Sequence, residues 1–120
     1  MGLASYRNLD AWKKGMLLVE ETYRLTAQLP TDERFGLTSQ MRRACVSIPT
    51  NIAEGYGRVH RGDYVHHLSM SSGSLAELET LLTVAVRLNL ISRGQAVPCW
   101  KLAQDEGKIL NKLIASLRSD

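Results

Sequence analysis

The stretch from Leu37 to Arg58, LTSQMRRACVSIPTNIAEGYGR, carries polar side chains at Arg43, Ser47, Asn51, Glu54 and Arg58. Spacings of four, four, three and four place them on one face of a helix. A hydroxyl, an amide and a carboxylate in that register can satisfy buried partners and fix how two helices meet. Ser47, Asn51 and Glu54 are therefore expected to line a subunit interface or brace the helix itself; a solvated face with routine Glu–Arg pairs is the plainer alternative. A basic cluster surrounds the stripe at Arg42, Arg43, Arg58, His60 and Arg61, and Lys13 and Lys14 add charge from an earlier segment. The planar guanidinium donates two parallel hydrogen bonds to a phosphate. The chemistry expected of these residues is contact with an RNA or DNA backbone without reading of sequence. Ordinary surface arginines would give the same pattern. Phe35 is the sole phenylalanine and both tryptophans fall in apolar seams, so no stacking platform, and no sequence-specific single-strand recognition, is expected.

Other constellations carry less. His60, Asp63 and His67 fall at spacings of three and four, which on a continuous helix would share a face. Gly62 is expected to interrupt that helix, and no metal or cofactor is expected. No Gly-rich phosphate loop, HExxH or GxSxG pattern occurs, so the chain is read as a non-enzyme. Glu77 and Glu79 lie two apart and face different directions; Glu77 is expected to pair with an arginine of the preceding helix and Glu79 to be solvated. The two cysteines, Cys45 and Cys99, sit in apolar patterns without CxxC spacing and are read as reduced core thiols.

Four amphipathic segments must position these residues. The first runs from about Leu9 to Leu29 with a seam at Leu9, Trp12, Met16, Val19, Tyr23 and Thr26, capped by Asn8 and ended by Leu29-Pro30. Thr31 to Gly36 is expected to be a single turn capped by Thr31. The second helix buries Leu37, Met41, Ala44, Ile48 and Ile52, is kinked at Pro49, and stops at Gly55-Tyr56-Gly57. The third spans about Asp63 to Asn89 with a seam at Tyr64, Leu68, Ser71, Leu75, Leu78, Leu82 and Ala85. Its small residues Ser69, Ser71, Ser72, Gly73 and Ser74 predict a close helix crossing. The fourth opens on the capping box Ser92-Arg93-Gly94-Gln95, into which Pro98 fits badly. Its seam is Ala96, Trp100, Ala103, Gly107, Leu110, Ile114 and Leu117. Short connections make neighbours antiparallel, so the expected fold is all-α, an antiparallel up-and-down four-helix bundle forming one domain over residues 1–120.

The chain has 120 residues and a formal net charge of +3, enough length for a core without disulfide staples. No apolar run is long enough to cross a bilayer. The first residues lack a signal-peptide core, so a cytoplasmic location without membrane attachment is expected. Mild basicity counts for more in an oligomer, where charge multiplies over a shared surface.

The segments SQMRRACVSIPTNIAEGYGR and SGSLAELETLL, with YRNLDAWKKGMLLVEETYRLTAQLP and ERFGLTSQ before them, resemble the bacterial four-helix-bundle family named after the 23S rRNA intervening-sequence protein. The resemblance covers roughly Tyr6 to Leu117 and is most specific at RRACVSIPTNIAEG. That family is similar to the accessory variability protein of diversity-generating retroelements, a five-subunit ring that engages nucleic acid and a reverse transcriptase. The resemblance implies a homo-oligomer, a pentamer, with a basic face, possible RNA or DNA as ligand, and a protein partner such as a reverse transcriptase by family analogy. Ser72 stands where members commonly carry a basic residue, which removes one positive charge from the third helix. The function expected is that of a non-enzymatic, nucleic-acid-associated accessory protein acting through Arg42, Arg43, Arg58 and Arg61. The alternative is a homo-oligomeric protein-interaction scaffold that binds no nucleic acid.

Overall fold

The computed structural model describes residues 5–119. Four helices account for most of them: α1 (Asp10–Thr26), α2 (Leu37–Tyr56), α3 (Arg61–Arg87) and α4 (Arg93–Arg118). Single 3-10 turns at Tyr6–Asn8 and Thr31–Glu33 precede α1 and α2. The molecule measures 47 × 26 × 21 Å, the proportions of helices lying side by side.

Cross-helix pairs fix the directions. Thr26 near the end of α1 bonds Arg42 early in α2, whereas Gly15 lies against Pro49 further along. Between α2 and α3, Asn51 meets His67 and Ser47 meets Ser74. Between α1 and α4, Thr22 meets Cys99 and Lys14 meets Asp105. In each case one chain position rises as the other falls, so neighbours are antiparallel. Helix contacts run α1–α2, α2–α3, α3–α4 and α4–α1, the order of an up-and-down four-helix bundle.

The seams of α2 and α3 lie where the periodicity places them. Met41, Ile48 and Ile52 are wholly buried on α2, and Leu68, Leu78, Leu82 and Ala85 on α3. The seam of α1 does not. Its core residues are Ala11, Gly15, Leu18, Thr22, Leu25 and Thr26, of which Thr26 alone belongs to the expected seam, while Trp12, Met16 and Val19 are half-buried and Tyr23 is 42% exposed. The helix is thus turned by about one residue, roughly 100°, from the orientation its larger side chains suggest. On α4, Ala96, Ala103 and Leu110 are buried as expected, but Cys99 and Glu106 replace Trp100 and Gly107, and Trp100 is 40% exposed.

The helix ends also differ in detail. Asn8 belongs to the first 3-10 turn and Leu9 precedes α1 without a side-chain cap. Thr31 does not cap its turn; Glu33 Oε1 instead accepts the Leu37 N–H at 3.2 Å, closing the start of α2. Gly62 lies inside the first turn of α3. The Ser92–Gln95 capping box forms, and α4 continues through Pro98. The hydrogen bond that Pro98 forfeits would have gone to the Gly94 carbonyl, in the first turn and beside water, where its loss costs little. α3 ends with Asn89 at φ 60° and the Leu90 N–H on the Ala85 carbonyl at 3.0 Å, a Schellman stop in which asparagine takes the usual place of glycine.

Both thiols are free and buried. Burial pushes Cys45 up to about 11 and raises Cys99, and Cys99 Sγ lies 3.5 Å from Thr22 Oγ1. Thiols so far from ionisation are inert packing groups.

Candidate nucleic-acid interface

The expected basic cluster falls into two sites. Arg42 lies about 21 Å of helix, at 1.5 Å per residue, from the end of α2 at Tyr56, and Arg58 stands two residues beyond that end. Arg58 and Arg61 stand at the α2–α3 turn. Arg58 Nη2 donates to Glu54 Oε2 at 3.2 Å, and Arg61 Nη1 reaches the Leu117 carbonyl at 3.5 Å. Their charge is therefore partly engaged within the chain. Lys13 is exposed on α1; Lys14 faces α4 and pairs with Asp105 at 3.8 Å.

The other end holds a groove. Tyr23 from α1, Arg34 and Phe35 from the intervening turn, and Thr38, Ser39, Arg42, Arg43, Val46 and Ser47 from α2 line an open surface groove of about 610 Å³. Arg42 is fixed on two sides: its Nε donates to Thr26 Oγ1 at 2.9 Å and its guanidinium lies 4.5 Å from the Tyr23 ring centre. The Arg34 guanidinium sits 5.1 Å from the Phe35 ring centre. Among the described residues, neither Arg34, Arg42 nor Arg43 forms an ion pair, and no carboxylate lines the groove. Three cations converge there with their charge uncompensated.

Phe35 is 86% exposed, and Tyr23 and Val46 are each about two-fifths exposed. An exposed aromatic ring therefore stands beside the arginines, where the sequence suggested no stacking platform. Sequence reading missed Tyr23, Arg34 and Phe35 as site residues. The signal available was the Arg34-Phe35 pair in a polar turn, where an aromatic ring has no helix face to join.

The polar stripe divides in two. Ser47 and Asn51 face α3: Asn51 Nδ2 donates to the Ser47 carbonyl at 2.9 Å and to its hydroxyl at 3.0 Å, and Asn51 Oδ1 lies 3.1 Å from His67 Nδ1. Ser74 Oγ donates to Ser47 Oγ at 2.8 Å, and Ser71 Oγ to the Ile48 carbonyl at 2.9 Å. These side chains brace α2 against α3, and the small residues of α3 make the close crossing possible. Glu54 is exposed and pairs with Arg58 just beyond the end of α2. His67 is held in the brace, whereas His60 and Asp63 are exposed. Glu79 is half-buried rather than solvated, accepting from Gln104 Nε2 at 2.7 Å, and its carboxyl is raised by burial. Glu77 is exposed and forms no ion pair among the described residues.

One carboxyl group among the described residues lies in the core. Glu106 is wholly buried and both carboxylate oxygens lack a hydrogen-bond partner. Burial pushes its carboxyl up to about 8, with the Lys14 ammonium pulling weakly the other way. Gly15 makes the space for it, since a Cβ there would stand 2.9 Å from Glu106 Oε2.

Fold and site together define a small all-α bundle protein with a braced α2–α3 seam and a cationic groove at one end. The chain belongs to the 23S rRNA-intervening sequence protein family, whose sequence profile matches residues 7–112. A crystal structure of a protein of unknown function from the S23 ribosomal protein family of Bacteroides thetaiotaomicron has the same fold, with a TM-score of 0.80 at 23% identity over 87% of this chain and 97% of that one. No curated protein matches the chain. No helix among the described residues is long and apolar enough to cross a membrane.

Proposed function

We propose that this protein is a non-enzymatic, nucleic-acid-associated accessory protein that holds the phosphate backbone of structured RNA or DNA, and that it works as a homo-oligomeric ring. The observation that carries the reading is the convergence of Arg34, Arg42 and Arg43 on one groove with no carboxylate to neutralise them. Uncompensated arginines at one place favour an anionic ligand, and phosphate best matches their forked donors. Arg58 and Arg61 supply a second, weaker contact region at the far end of α2. A reaction has little to stand on: the carboxyl furthest from its ordinary value, Glu106, is sealed in the core.

A ring would repeat the groove around its circumference and multiply the net charge of +3. On α1, Leu17 at 48% and Tyr23 at 42% exposure leave apolar surface outside the bundle core, which supports association between copies.

The test combines light scattering with binding to a structured RNA at low and moderate salt. The protein is expected to run as one oligomer that shifts with RNA and releases it as salt rises. The double variant Arg34→Glu, Arg43→Glu is expected to weaken binding at least tenfold. It should also flatten the slope of log affinity against log salt by about 1.5 to 2, as two phosphate contacts are lost. The oligomer should stay unchanged. Binding that is indifferent to both charge reversals would refute the reading.

A protein-interaction scaffold is the second reading, and one feature favours it. Leu82, Val86, Val97 and Trp100, with Arg87 and Arg93 beside them, line a largely apolar groove of about 410 Å³ between α3 and α4. Retention of one polypeptide through nuclease and high salt, with no RNA shift, would move the conclusion there.

A further inference from the structure

We infer that the groove between α1 and α2 takes an unpaired strand, with a base stacked on Phe35 and the flanking phosphates on Arg34, Arg42 and Arg43. This rests on the nucleic-acid reading above and narrows it to single-stranded ligand. Phosphate alone would need only the arginines. The groove adds an aromatic ring that is 86% exposed, a second ring at Tyr23, and the apolar side chain of Val46. Scattered exposed apolar residues are normal on a protein surface, but here three share one concavity with three cations.

The geometry suits a nucleotide. One face of Phe35 is taken by Arg34, at 5.1 Å from the ring centre, and the exposure of the ring leaves the other to a ligand. Arg42 is held in place from behind by Thr26 and Tyr23, so its donors are aimed before any ligand arrives and less rotamer freedom is lost on binding. Thr38 and Ser39 add hydroxyls to the wall. A volume of about 610 Å³ is within the range of sites that enclose a small molecule. In a duplex the base faces are stacked inside the helix and out of reach of Phe35. In a loop, bulge or free strand they are available, and stacking on an aromatic ring tolerates every base.

The experiment measures fluorescence anisotropy of a short labelled oligouridine, the matching oligothymidine, and an RNA duplex of equal length, each with the full chain. Phe35→Leu, which keeps an apolar side chain at an exposed position, is expected to weaken both single strands roughly tenfold and to leave duplex affinity and the salt slope as they were. Phe35→Trp is expected to restore single-strand binding, with indole emission quenched as the strand is added. Equal single-strand affinity in wild type and Phe35→Leu would overturn the inference while leaving backbone binding intact. An altered subunit count in Phe35→Leu would overturn it by assigning the ring to a contact between copies. Failure of strands and duplex alike to bind the wild type would overturn the nucleic-acid reading itself.

Discussion

Glu106→Gln is expected to stabilise the bundle by about 3 kcal/mol at pH 7 and by almost nothing near pH 4.5. Glu106 is wholly buried with both oxygens unpartnered, so its charged form has lost water and gained nothing in exchange. The folded-state carboxyl is raised from 4.5 to about 8. A raised acid binds its proton more tightly in the folded than in the unfolded chain. Below the unfolded value both states are protonated and the residue carries no charge penalty. From there to about 8 the unfolded chain releases the proton and the folded chain keeps it, so stability falls with rising pH by about 1.4 kcal/mol per unit. Above about 8 both states are ionised, and the loss levels off near 5 kcal/mol. Glutamine mimics the protonated acid at every pH and removes the slope. Urea midpoints of wild type and variant across that range measure the difference directly. Parallel curves would mean that the carboxylate finds a partner in solution and is not the isolated group its surroundings describe. Lys14, the charged neighbour on α1, moderates the shift; Lys14→Met is expected to leave the slope at one proton per unit and extend the fall in wild-type stability to higher pH.

That residue also shows where sequence reading stops. A periodic apolar pattern assigns seam positions by excluding charge, so the α4 seam passed through Gly107 and over Glu106. The glutamate can enter the core only because α1 presents Gly15 opposite it, and nothing in either helix alone announces the pair. The α2 and α3 seams were legible because their large aliphatic residues and their buried faces coincide. On α1 they diverge: Ala11, Gly15 and Thr22 pack where helices approach closely, and the bulkier Trp12, Met16 and Tyr23 are displaced to the flank. Assigning Tyr23 to the core hid its place in the groove. Arg42 and Arg43 were identified from their own helix, but Tyr23, Arg34 and Phe35 join them from other segments, so the site exists only after α1 and α2 have packed. The division of the basic cluster follows from helix rise alone and could have been read from the spacing of Arg42 and Arg58.

Gly55→Ala is expected to cost about 3 kcal/mol or more, the largest loss from adding a single methyl group on α2. A Cβ at Gly55 would lie 2.6 Å from His67 Cβ and 3.3 Å from the Tyr64 carbonyl oxygen. Neither atom sits at the end of a flexible side chain, so the clash is relieved only if α2 and α3 move apart. Overpacking of a fixed contact costs about 1 to 3 kcal/mol. Separation here also stretches the brace that runs from Asn51 to His67, from Ser71 to the Ile48 carbonyl and from Ser74 to Ser47, at about 1 kcal/mol for each bond lost. Gly73 supplies the contrast. It is exposed in mid-helix, and a Cβ there meets nothing within 4 Å, so Gly73→Ala should gain up to about 1 kcal/mol from helix propensity. Two glycine-to-alanine changes near one helix pair are thus expected to move the urea midpoint in opposite directions. Equal effects would show that helix propensity governs both sites and that α2 and α3 are not locked at Gly55. Loss at Gly55 with gain at Gly73 would establish that the close approach comes from the glycine of α2 meeting α3, with the serines of α3 bonding across it.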